Sequence, residues 1–312
     1  MADTDLYEVI IVGGGPAGLT AGIYCMRAAL KTLLFEKGMP GGQIAISKDV
    51  ENYPGLEGIS GFDLADKLLH HAQTYGLYPT PREVTAVKTG PAIHSVELDN
   101  KDIIHTFALI LATGGTQRKL GVPGEAEYLG TGVSYCATCD GFFFRNKTVV
   151  VVGGGDTAVE EAIYLSRLAG KIYLIHRRNT LRASKMLRNR LMTEPAIKII
   201  WNTIVTEIRG DGRVVNSVLL ENTESREKGE LQVDGVFILI GASPNNKLIP
   251  SAVGTDEQGF VITDDRCRTS VPGIFAVGDL RRKFANQIVI AAADGCTAAL
   301  AAAHYVQSRE SG

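Results

Sequence analysis

The chain has 312 residues but one tryptophan, five cysteines and a formal net charge of only −2. That near-neutral balance, with 32 basic against 34 acidic side chains, leaves no electrostatic reason to bind nucleic acid. Five cysteines in a chain of this length do not make a disulfide scaffold. The sequence lacks a basic N-terminal region followed by an apolar core, since Met1 to Glu8 is short and acidic, so no secretory signal is expected. No run of apolar residues approaches the ~20 needed to cross a bilayer. These absences together predict a cytoplasmic chain without a membrane segment. At 45% hydrophobic residues, it is long enough for about two domains of ordinary size.

Glycine is plentiful, and its placement is informative. Gly13-Gly14-Gly15-Pro16-Ala17-Gly18 follows the apolar run Tyr7 to Val12 and opens a helical pattern, and 23 positions after Gly13 stands Glu36. Gly153-Gly154-Gly155-Asp156-Thr157-Ala158 follows Thr148 to Val152, and the same count reaches His176, beside Arg177 and Arg178. Each hexamer predicts a strand-to-helix turn whose amide N–H groups hold a pyrophosphate at the helix N-terminus. Ala158 in place of the last glycine still permits close packing of helix on strand. A carboxylate at the ribose position suits a free 2′-hydroxyl, whereas a basic cluster suits a 2′-phosphate, so the first loop reads as a site for FAD or NAD and the second as one for NADP.

Cys136 and Cys139 are two residues apart, in Tyr135-Cys136-Ala137-Thr138-Cys139-Asp140-Gly141. This spacing suits either a redox dithiol or half of a metal site. Cys25, Cys267 and Cys296 are isolated and no second Cys or His pair has comparable spacing, so no metal site is expected. Asp140 suits proton transfer to and from the thiols, or the N-cap of a following helix.

The pattern along the chain predicts strand, turn, helix and strand from Leu6 to Lys37, a helix from Gly61 to Tyr75, further strands ending at Phe107 to Ala112, a second strand–turn–helix unit with strands at Thr148 to Val152, Lys171 to Ile175 and Gly235 to Ile240, and an alanine-rich helix from about Asn286 to Val306. The fold class is α/β, with two Rossmann-like domains. The segment Phe275-Ala276-Val277-Gly278-Asp279 makes sense if the second domain is inserted into the first. The expected organisation is residues 1–117 and 245–312 for one nucleotide domain, and 118–244 for the other, which carries the dithiol.

The two glycine loops, Met39 to Gln43, Glu51 to Gly55, the dithiol segment, His176-Arg177-Arg178 with Arg182, and Phe275 to Asp279 occur in an order and spacing that resemble the low-molecular-weight thioredoxin reductases, which are flavoproteins, over essentially the whole chain. The resemblance implies FAD in the discontinuous domain, NADPH in the inserted one, a homodimer, and thioredoxin as protein substrate. It assigns Gly13, Gly15, Pro16, Ala17, Gly18, Glu36, Gly42, Gln43, Asn52, Thr113, Gly278, Asp279, Gln287 and Ile288 to FAD. Gly153, Gly155, Asp156, Thr157, Ala158, His176, Arg177, Arg178 and Arg182 fall to NADPH. It places Cys139 toward the flavin, Cys136 toward thioredoxin, and Asp140 as acid and base. Two positions depart from the family pattern: Asn286 and Thr131 stand where arginine is common, which bears on flavin or dimer contacts and on partner docking.

Overall fold

A computed structural model describes residues 6–47 and 50–310. The chain forms β1 (Leu6–Val12), α1 (Pro16–Arg27), β2 (Thr32–Phe35), α2 (Gly61–Thr74), β3 (Val84–Lys88), β4 (His94–Leu98), β5 (Ile103–Leu111) and β6 (Gly115–Gln117). It continues with β7 (Val133–Ser134), α3 (Ala137–Asp140), β8 (Thr148–Gly153), α4 (Asp156–Leu165), β9 (Lys171–Ile175), α5 (Lys185–Leu191) and β10 (Ile197–Ile200). After these come β11 (Thr203–Gly210), β12 (Val215–Asn222), β13 (Lys228–Gln232), β14 (Gly235–Leu239), β15 (Ala242–Pro244), β16 (Ile274–Ala276) and α6 (Ile288–Glu310). Two compact units result: residues 1–116 with 243–312, and residues 117–242.

In the first unit the sheet runs β2-β1-β5-β4-β3, and β16 pairs with β5. The β1–β2, β1–β5 and β5–β16 pairs are parallel, while β3 and β4 form an antiparallel extension. Val9, Ile10, Ile11 and Leu109 to Leu111 are buried, giving the continuous apolar runs of strands covered on both faces. One face packs under α1 and α6, with Leu19, Ile23, Ile110, Phe275, Ala298 and Ala302 in one cluster.

The helix α6 qualifies the expectation about apolar runs. Its residues Ile288–Arg309 are long and apolar enough, by length and composition, to cross a membrane. The chemistry of the helix is nevertheless two-faced: Ala291, Asp294, Ala298, Ala299, Ala302, Ala303 and Val306 are buried at intervals of three or four, and Ala293, Leu300, His304 and Gln307 are exposed. A helix with that pattern packs one stripe against a core. Asp294 interrupts the apolar run on the buried stripe and is already ion-paired there.

In the second unit the sheet order is β10-β9-β8-β14-β7, all parallel. The helices α4 and α5 cover one face through Val159, Ile163, Leu165, Leu187 and Leu191. The other face is covered by an antiparallel sheet β11-β12-β13, contributing Val205, Ile208, Val215 and Val218. That three-stranded layer was not foreseen in the sequence pattern. Val261 makes isolated bridges to Thr255 and Arg281 in the first unit.

Candidate functional site

The first glycine loop divides its work among its glycines. Gly13 has φ 111°, and a Cβ there or at Gly18 would strike backbone, of Ala112 and Gly13 respectively, so both are small because strand and helix touch. Gly15, the N-cap of α1, has nothing nearer a built Cβ than the Gly42 Cα at 4.0 Å. Pro16 occupies N1, where its missing N–H costs nothing, and Ala17 is buried behind it. The loop therefore presents helix N–H groups and an open cradle. Glu36, at the end of β2, accepts from Gly14 N–H at 2.7 Å and Gly38 N–H at 2.8 Å, which fixes its carboxylate at the loop's edge.

Other residues of this unit gather around that cradle. Gly42, with φ 59°, lies 3.3 Å from Gly15 Cα measured from a built Cβ, and Gly41 N–H donates to Gly14 O at 2.8 Å, so the segment with Gln43 is laid beside the loop. Asn52 Nδ2 donates to Gln287 Oε1 at 3.1 Å, joining two side chains 235 residues apart in sequence, and Ile288 packs with Ile44 and Leu64. Thr113 serves the scaffold, since its hydroxyl donates to Asn245 O at 2.8 Å and its carbonyl accepts from Asn245 Nδ2.

The segment after β16 rests on an ionic network the sequence did not reveal. Gly278, at φ 65°, donates its N–H to Asp294 Oδ2 at 3.1 Å, and Asp294 Oδ1 also receives Arg281 Nη1 at 2.6 Å. The buried Lys283 ammonium stands 3.0 Å from Asp279 Oδ1 and 3.5 Å from Asp294 Oδ2, within ion-pair range but aligned for a hydrogen bond to neither. A buried cation with donors to spare beside a half-exposed aspartate suits a polar ligand next to Asp279. The only hint in sequence was Asp294 itself, a lone acid among alanines.

In the second unit the loop is built alike. Gly153 faces Ala158 and the Leu239 carbonyl too closely for a side chain, while nothing lies within 4 Å of a Cβ placed on Gly155, the N-cap of α4. Asp156, at the start of α4 with Thr157 following, accepts Ser184 N–H at 2.7 Å and so ties the segment after β9 to the loop. His176 departs from the expected phosphate contact. It is buried over Gly154, with Nδ1 2.8 Å from Gly153 O and Nε2 2.9 Å from Thr180 O, so the ring edge faces two backbone carbonyls of the scaffold. Arg177, Arg178 and Arg182 are exposed, and among the described residues none of their guanidinium groups has an ion-pair or hydrogen-bond partner.

Cys136 and Cys139 form a disulfide, with Cα atoms 5.3 Å apart. Cys136 is the N-cap of α3, and its Sγ accepts from Cys139 N–H at 3.2 Å and lies 3.3 Å from Thr138 Oγ1. Asp140 ends α3 and precedes a short 3-10 turn without capping it; instead its Oδ2 accepts from Ser134 Oγ. The helix α3 lies on α4, where Gly141 would bring a Cβ to 3.0 Å from Leu165 and 3.3 Å from Leu168. Two further acids were missed. Glu161, on α4, accepts Ala137 N–H, and its carboxyl is pushed up to about 7 by burial, against that hydrogen bond and with help from Glu160 and Asp140. Glu125 is buried and accepts from Leu120 N–H, Gly121 N–H and Tyr135 Oη–H, anchoring the residue next to Cys136.

The remaining thiols have a different character. Burial pushes Cys25 and Cys267 up to about 12, which keeps them protonated and unreactive. No group of three or more His, Cys, Asp or Glu suited to a metal ion occurs among the described residues.

Two open glycine cradles at helix N-termini and a disulfide seated on the second of those helices define a nucleotide-dependent dithiol protein. The chain belongs to the pyridine nucleotide-disulphide oxidoreductase family, whose pattern it matches over residues 7–295. It is 46% identical to a thioredoxin reductase of Listeria innocua over 98% of this chain and 96% of that protein, and 45% identical to one of Bacillus subtilis over 98% and 97%. The crystal structure of thioredoxin reductase from Streptococcus pyogenes superposes with a TM-score of 0.93 at 41% identity, covering 98% of this chain and all of the other.

Proposed function

We propose that the chain is an NADPH-dependent thioredoxin-disulfide reductase, with FAD held by the first unit and NADPH by the second. The observation that carries this reading is the Cys136–Cys139 disulfide on α3, packed against the helix that opens from the second glycine loop. A bound flavin would supply the step from hydride to electron pair that a nicotinamide and a disulfide do not accomplish directly. The chain's own groups do the rest. Gly15 and Gly155 leave room for pyrophosphates at α1 and α4, Glu36 stands where a ribose hydroxyl would bond, and the three free guanidinium groups suit a 2′-phosphate. Asp279 and Lys283 supply acceptor and donor for the flavin moiety's polar chain.

At the dithiol, opening of the disulfide leaves Cys136 Sγ facing Cys139 N–H, a donor that stabilises a thiolate. Asp140, oriented by Ser134, is positioned on the same short helix to move the proton. Cys136 is assigned the attack on thioredoxin and Cys139 the flavin side. The relatives' identity as thioredoxin reductases supports thioredoxin as partner, and the same reading carries a homodimer in the cytoplasm, where dithiols are kept reduced.

The test is NADPH oxidation by purified protein with thioredoxin, for the wild type and for Cys136→Ser and Cys139→Ser. Either substitution is expected to abolish thioredoxin reduction while the flavin is still bleached by NADPH. Disulfide reductase activity retained in both variants would defeat the proposal.

A further inference from the structure

The dithiol helix is only four residues long, too short to hold itself, and its fixed point comes from another element. Ala137 N–H, at the first residue of α3, donates to Glu161 Oε2 at 2.5 Å across 24 residues of sequence. Glu161 lies near the middle of α4, whose N-cap is Gly155. We propose that Glu161 is a positioning residue of the dithiol: it clamps the first turn of α3 so that Cys139 N–H faces Cys136 Sγ, and its charge opposes formation of the Cys136 thiolate. This deepens the reductase reading and rests on it for the role of the dithiol.

Three observations bear on the charge. Glu161 is largely withdrawn from solvent, and among the described residues no cation pairs with it. The charged groups acting on it are both acids, Glu160 on its own helix and Asp140 on α3. Its carboxyl therefore titrates at about 7, with burial as the main cause. Below that pH the group is neutral and still accepts Ala137 N–H; above it, the added negative charge lies close to the helix on which a thiolate must form. An ionised acceptor holds the clamp more tightly but makes the neighbouring thiolate less favourable.

The experiment reduces the purified full-length protein with a phosphine, so that it needs neither NADPH nor thioredoxin. Iodoacetamide modification of Cys136 is then followed by peptide mass spectrometry from pH 5 to 10. Glu161→Gln keeps an acceptor for Ala137 N–H without the charge, Glu161→Ala removes both, and Glu160→Gln is the control on the exposed neighbour. The expected result is a wild-type profile spread over two steps, the lower one near neutrality. Glu161→Gln should give a single step at lower pH, with modification at pH 8 about fivefold faster, equivalent to roughly 1 kcal/mol of charge repulsion removed from the thiolate. Glu161→Ala should be slower than Glu161→Gln throughout, because the clamp is gone. Superposition of Glu161→Gln on the wild type, identical rates for the Gln and Ala variants, or an equal shift in Glu160→Gln would each overturn the proposal. Failure of the reductase reading would appear separately, as a dithiol that NADPH does not reduce.

Discussion

Arg177 and Arg178 follow β9 as exposed side chains without partners among the described residues, beside a histidine that the fold has turned inward. A guanidinium in water contributes little to stability, so their removal should leave the fold intact. Each charge-assisted contact to a phosphate is worth about 1.5–3 kcal/mol. The double variant Arg177→Ala/Arg178→Ala is expected to raise KM for NADPH at least tenfold while leaving KM for NADH and the melting temperature nearly unchanged. Steady-state kinetics with both nucleotides checks this, and an undiminished preference for NADPH would remove the phosphate role. At this scale, features that depend on size or near neighbours were legible from sequence: the close-packed glycines of both turns and the pairing of Cys136 with Cys139. Those whose meaning depends on distant partners were not. Glu161 reads as an ordinary helix-surface acid until its hydrogen bond to Ala137 is known, and His176 reads as part of a basic cluster until Gly153 O and Thr180 O are seen on either side of it.

Among the elements, α6 shows how a helix distant in sequence supports the first glycine loop. Gly295 costs the helix about 1 kcal/mol in propensity relative to alanine, yet it sits in the middle of α6. Its reason is contact: a Cβ there would drive into the Ala17 carbonyl and reach 3.0 Å from Ala21 N, both on α1. Because the obstacle is backbone, it cannot swing aside as a side chain would. Gly295→Ala is therefore expected to lose about 1–3 kcal/mol despite the better propensity, measured by urea denaturation. It should also weaken FAD retention, since Ala17 belongs to the first turn of α1. A gain in stability would mean that α1 and α6 separate freely and that α6 does not brace the loop. The alanine-rich pattern announced this helix and its approximate ends, but periodicity alone did not identify which face met α1. The antiparallel layer β11-β12-β13 escaped for a related reason: its strands alternate buried and exposed residues only loosely, and two register shifts break the β11–β12 ladder.

For the whole molecule, the decisive fact is that the chain builds one nucleotide-binding unit from two separated stretches and the other from the residues between them. Each unit has its own sheet, its own clusters of buried apolar side chains and its own open glycine cradle. A ligand that binds only the folded form of one unit stabilises that unit by RT ln(1 + [L]/Kd), about 2.7 kcal/mol at a hundredfold excess over Kd. Amides that exchange only when the unit opens should then slow roughly a hundredfold, the same free energy expressed as a rate. Hydrogen exchange on flavin-stripped protein is thus expected to show FAD protecting β1, β5 and β16, with little effect on β8 and β14. NADP⁺ should protect β8 and β14 and leave the first group unchanged. Protection of β8 by FAD, or of β1 by NADP⁺, would reverse the assignment of cofactors to loops, because Glu36 and the arginines after β9 would then be reading the opposite ribose.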